Sequence, residues 1–191
     1  MSSKFIRGCI ALAAVVFCGV ANAHPGHGGG LIAGVAHPLF GLDHLLAMIA
    51  VGAWAYQLGG RAIWLVPTSF VGLMAVAGGA GMVNIGLPMV EIGIAMSVLI
   101  LGCLIAFSVR VTPAIGAAIV ALFAIFHGYA HGAEMPLLGS AWQYGIGFIV
   151  STAALHGIGL ILAKGMDKKG WLLRAAGAMV AASGVWMMTA N

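Results

Sequence analysis

The chain has 191 residues, 62% of them hydrophobic and 6% charged, with a formal net charge of +4 and a mean hydropathy of +1.12. A soluble domain carries about 25% charged residues, so this composition excludes a water-soluble globule and points to an all-α, polytopic membrane protein in contact with the lipid bilayer. Apolar runs of helical length lack the alternation of an outer-membrane barrel, and the small basic excess does not suggest a nucleic-acid partner.

The first segment reads as a cleavable signal peptide over 1–23. Lys4 and Arg7 form its positive start, Gly8 through Val20 its apolar core, and Ala21-Asn22-Ala23 its small-x-small cleavage pattern. Phe17 stands where a lipoprotein signal would need a small residue before Cys18, which removes that reading; an uncleaved signal anchor is the alternative. Cleavage makes His24 the N-terminus of a short tail, 24–30, that also holds His27 and several glycines. An α-amine and imidazole on one residue chelate metals, so His24 and His27 are candidate cation collectors; a polar linker is the plainer reading. Loss of Cys9 and Cys18 leaves Cys103 without an intramolecular disulfide partner.

Six apolar stretches follow in one membrane domain over 24–191: Leu31–Leu58, Ala62–Val83, Leu87–Ser108, Pro113–His131, Ser140–Lys164 and Gly170–Ala190. Each meets or approaches the length of about 20 residues that crosses the hydrocarbon core, and short Gly, Pro and Asn-containing connections make chain neighbours antiparallel. An external N-terminus puts the remaining basic residues, Arg61, Arg110, Lys164, Lys168, Lys169 and Arg174, at cytoplasmic ends. The loops near 85 and 135 hold none, so the positive-inside rule predicts an inner-membrane protein with both termini periplasmic. Gly52, Gly72, Gly78, Gly93, Gly116 and Gly145 permit close helix packing within a monomer or a homo-oligomer.

Within the first stretch stand His37, Asp43 and His44. Pro38, with Gly34 and Gly41 nearby, predicts either a kinked or broken helix or a surface segment followed by a span that starts near Leu39. Glu91 begins the third span near its outer end. In the fourth, His127, His131 and Glu134 have i, i+4, i+7 spacing and share one face if the helix continues that far. His156 lies deeper, in the fifth. Acids in a membrane span are costly and usually mark a pathway, and imidazole with carboxylate suits divalent Ni, Co, Zn or Cu. Structural ion pairing by the same residues is the alternative. Met48, Met96 and Met135 invite a copper(I) reading, but the conspicuous donors are harder than thioethers.

The run His37-Pro38-x-x-Gly41-x-Asp43-His44-x-x-x-Met48, after a signal and a His-Pro-Gly-His tail, resembles the HupE/UreJ family of nickel/cobalt permeases. Phe126-His127-Gly128-Tyr129-Ala130-His131-Gly132-x-Glu134 is similar to that family's fourth-span motif. Glu91 with Ser97, and His156-Gly157-x-Gly159, extend the likeness over nearly the whole mature chain. The resemblance implies secondary uptake of Ni²⁺ or Co²⁺ without ATP, feeding hydrogenase or urease maturation, with cytoplasmic metallochaperones as indirect partners. No catalytic cofactor is expected, and the sequence has no P-loop for a built-in ATPase. An intramembrane zinc-dependent hydrolase and a non-transporting metal-binding accessory subunit are the competing readings.

Overall fold

The computed structural model describes residues 30–135 and 140–190, and every regular element among them is helical. In chain order these are α1 (Leu31–Phe40), α2 (Leu42–Leu58), α3 (Ala62–Met82), α4 (Val90–Ala106), α5 (Pro113–Ala133), α6 (Ala141–Asp167) and α7 (Gly170–Ala190). The expected signal peptide, and the tail with His24 and His27, lie outside the described residues.

By length and composition α3, α5, α6 and α7 are each able to cross a membrane, and the α1–α2 pair qualifies as a fifth unit. Helix α4 is apolar but has 17 residues. At 1.5 Å per residue it spans roughly 25 Å, a little under the hydrocarbon thickness.

The first stretch is a broken helix. Helix α1 runs through Pro38 and stops at Phe40; Gly41 is extended (φ −83°, ψ 113°), and α2 leaves at 85° to α1. The break thus falls three residues after the proline, not at it, and the long helix starts at Leu42. Asp43 supplies the local reason. In the first turn of α2 its Oδ1 accepts from the His44 backbone N–H at 2.8 Å, satisfying one orphan donor of a helix start and complementing the helix dipole.

Helix α2 forms the middle of the bundle, with Met48, Val51 and Trp54 fully buried. Around it the helices associate as α3 with α5, α4 with α7, and both α1 and α2 with α6. These crossings are made by main chain. A Cβ on Gly128 would collide with the Met74 carbonyl, one on Gly132 with the Gly78 carbonyl, and one on Gly52 with the His156 carbonyl. Close approach of this kind requires small residues. Gly72 and Gly145 take no part in these contacts: Gly72 is exposed on α3, and Gly145 of α6 borders a cavity that it shares with His131 and Met74. Gly128→Ala is expected to push α3 and α5 apart and destabilise the bundle by about 1–3 kcal/mol, read as a lowered midpoint in thermal unfolding.

The two ends of the bundle differ chemically. At one, Arg61, Arg110, Lys164, Lys168, Lys169 and Arg174 gather around short connections. Trp54 Nε1 donates to the Val109 carbonyl (3.1 Å), Gln57 Nε2 to the Ile105 carbonyl (3.2 Å) and Arg174 Nε to the Ala106 carbonyl (2.9 Å). These donors satisfy backbone oxygens in and after the last turn of α4. The other end carries His37, Asp43, Glu91 and Glu134. Exposed tryptophans flank both, Trp64 and Trp171 at the basic end and Trp142 and Trp186 at the acidic end, the pattern of interfacial aromatic belts.

Candidate metal centre

At the acidic end, the elbow between α1 and α2 turns His37 and His44 toward α5. Helix α5 ends at Ala133, and Glu134 caps it through a backbone bond to the Ala130 carbonyl (2.9 Å). His127, His131 and Glu134 therefore project from neighbouring turns, as their spacing predicts, although the last is no longer helical. One donor atom from each of His37, His131 and Glu134 falls within 4.8 Å of the others. Donors sharing an ion at metal–ligand lengths of about 2.0–2.2 Å lie roughly 3–4 Å apart, so small side-chain rotations would close this set on a cation. His37 Nε2 is 3.5 Å from Glu134 Oε2, and this hydrogen-bonding imidazole holds the Glu134 carboxyl below its ordinary range.

From that trio, in which Glu134 is exposed, His37 half-buried and His131 buried, a line of rings leads inward. His131 meets His37 at 4.7 Å between centroids and His44 at 4.1 Å; His44 in turn meets His127 at 4.7 Å. Phe70 of α3 then stands between His127 (5.6 Å) and His156 (5.3 Å). All four inner histidines are buried. Their nitrogens are conspicuously idle: His44 Nε2, His127 Nδ1, and both ring nitrogens of His131 and of His156 have no hydrogen-bond partner. An unsatisfied buried polar atom costs about 1–3 kcal/mol, so a row of them is an expensive way to build a core and a suitable way to receive a cation.

Asp43 sits beside this row rather than within the trio. Its Oδ1 accepts from His44 Nδ1 at 2.9 Å, which fixes the proton on that nitrogen and leaves Nε2 with its lone pair. This is the carboxylate–histidine arrangement that orients metal-binding imidazoles and strengthens their donation.

Glu91 goes elsewhere. It is exposed in the first turn of α4 and lines a cavity of about 230 Å³ together with Asp43, Trp186 and Met187, on the side of α4 that faces α7. The methionines divide: Met48 is fully buried in the core, whereas Met135 joins Met74, Met82 and His131 around a cavity of about 110 Å³.

Four participants have no assigned role in the sequence reading. Phe70, Phe148 and Tyr144 enclose the histidines, with Phe148 3.9 Å and Tyr144 6.0 Å from the rings of His131 and His37 respectively. Ser97 of α4 is the fourth, at 2.8 Å from His127 Nε2. The aromatics carried no signal among so many apolar neighbours. A hydroxyl amid the apolar turns of α4 was a signal of sorts.

The family profile described as "HupE / UreJ protein" matches residues 12–187. "Protein HupE" of Rhizobium leguminosarum bv. viciae is 44% identical over 188 residues, covering 97% of this chain and 98% of that protein. No solved structure matches. The motifs that converge on the histidine row are therefore carried by a chain similar from end to end to a member of that group, and this protein belongs to the HupE/UreJ family.

Proposed function

We propose that the protein is a secondary permease that admits divalent transition-metal cations, Ni²⁺ foremost and Co²⁺ next, into the cytoplasm for metalloenzyme maturation. The observation that carries this reading is the row of buried histidines whose idle nitrogens lead from the acidic end into the bundle. In this reading the basic end is cytoplasmic, α1 and α2 form one bent crossing, and α4 is a short sixth one. Short apolar helices are accommodated by local bilayer thinning at modest cost.

A hydrated ion collected by His24 and His27 reaches His37, His131 and Glu134, exchanges water for imidazole and carboxylate, and moves to His44. Asp43 and Glu91 supply negative charge near the entry, offsetting part of the cost of dehydration. His127 and His156 are the deeper stations. Neutral imidazoles bind a divalent ion firmly enough to admit it and weakly enough to release it, which a cage of thiolates would not. Intracellular metal-binding proteins keep the gradient downhill, and no nucleotide is consumed.

The test is ⁶³Ni²⁺ entry into liposomes containing only the purified chain. We expect saturable accumulation above empty liposomes, suppressed by excess Co²⁺ more than by Zn²⁺, and no release of fatty acid or peptide fragments. Metal binding in detergent without any accumulation would favour an accessory, non-transporting role. Hydrolysis in place of accumulation would favour the zinc enzyme.

A further inference from the structure

We propose that Ser97 is a positioning residue of the metal path: its hydroxyl holds His127 in the Nε2–H tautomer, so that Nδ1 is the atom offered to the ion. The inference deepens the permease reading and rests on it.

The argument is one of proton inventory. Ser97 is fully buried, and its Oγ lies 2.6 Å from the Ile94 carbonyl and 2.8 Å from His127 Nε2. Two oxygens at the first distance must share a proton, and a carbonyl has none to give, so the hydroxyl donates to Ile94. A serine has a single donor. Towards His127 it can only accept, and the proton of that bond must therefore sit on Nε2. A neutral imidazole carries one N–H, which leaves Nδ1 with its lone pair. That nitrogen is the buried, partnerless one.

His44 is fixed in the opposite sense. Asp43 accepts from its Nδ1, and Nε2 is the idle atom. Two adjoining rings, nearly perpendicular at 88°, are thus held in opposite tautomers by different outer groups, a carboxylate for one and a hydroxyl for the other. The difference in charge grades the two stations. A carboxylate partner raises the basicity of its imidazole more than a neutral hydroxyl does, so His44 is the stronger donor and His127 the weaker. An ion passing from the first to the second is held less firmly as it goes inward.

The experiment combines ¹⁵N-histidine NMR of the metal-free protein with ⁶³Ni²⁺ entry into liposomes, for wild type, Ser97→Ala, Ser97→Thr and His127→Gln. The His127 signal is the one lost in His127→Gln. It should report the Nε2–H tautomer in wild type and Ser97→Thr, since threonine in a helix keeps the bond to a preceding carbonyl. In Ser97→Ala it should shift towards the other tautomer, with initial uptake lowered about 10-fold, the lower end of the range for outer-shell losses. Added to His127→Gln, Ser97→Ala should change uptake no further. A wild-type His127 in the Nδ1–H form, or a Ser97→Ala protein with unchanged tautomer and uptake, overturns the Ser97 assignment while transport stands. The expected tautomer in a wild type that admits no metal overturns the permease reading, and with it the purpose given to Ser97.

Discussion

His131→Ala is expected to reduce ⁶³Ni²⁺ entry to the level of empty liposomes. His131 is the joint between the outer trio and the buried row: it belongs to the donor set with His37 and Glu134, and its ring lies 4.1 Å from that of His44. Neither ring nitrogen is engaged by any protein group, so no structural bond is lost on truncation. Removing it leaves a gap that the ion would have to cross without ligands, in surroundings built of Phe148, Met74 and Met82. Loss of an outer-shell partner alone costs about 10–100-fold in metal affinity, and loss of a direct ligand in the path should reach or exceed the top of that range. The bundle itself should persist, because the α3–α5 crossing beside it is made by Gly128 and Gly132. Size-exclusion and circular dichroism of the variant would verify this. A His131→Ala protein that is folded and still transports at most of the wild-type rate would remove His131 from the path.

Asp43→Asn should weaken Ni²⁺ binding about 10–100-fold while leaving the fold intact. Two functions coincide in Asp43. It caps the start of α2 through the His44 backbone N–H, and it fixes the proton on His44 Nδ1. Alanine removes both and would confuse them. Asparagine preserves a capping oxygen but not the charge that strengthens the imidazole and offsets that of the ion. Equilibrium dialysis with Ni²⁺ in detergent gives the affinity, and thermal unfolding of the same sample gives the stability. Weakened binding with an unchanged midpoint is the expected pair of results; unchanged binding would reduce Asp43 to a helix cap.

The long crossings were readable because apolar run length is a one-dimensional property, and α3, α5, α6 and α7 follow it closely. Thr112-Pro113 is a legible helix start as well, with the threonine hydroxyl accepting from the Ile115 N–H and proline at the first helical position. Proline is the stronger breaker on paper, and Gly34 and Gly41 stand on either side of it. The chain turns not at Pro38, which stays within the last turn of α1, but at the extended Gly41, after which Asp43 Oδ1 accepts from the His44 N–H in the first turn of α2. The histidine rings of α1, α2 and α5 also lie together at one end of the bundle. Glu91 does not join them: it is exposed at the start of α4, on the side towards α7, which α4 meets closely through Gly102, Gly177 and Gly184. Ser97 and Phe70 take their roles from the contacts of α4 and α3 with the histidine-bearing helices, which no periodicity along the chain records.

The reciprocal glycine–carbonyl crossings have a consequence for altering this protein. Where two rods touch through peptide planes, their spacing comes in one size, and no rotamer exists to absorb an error. On the permease function proposed above, the dimensions of the cation route are therefore set by the framework and its chemical preference by the donors hung upon it. An engineer seeking selectivity for a different ion should exchange the donors and leave every such contact untouched.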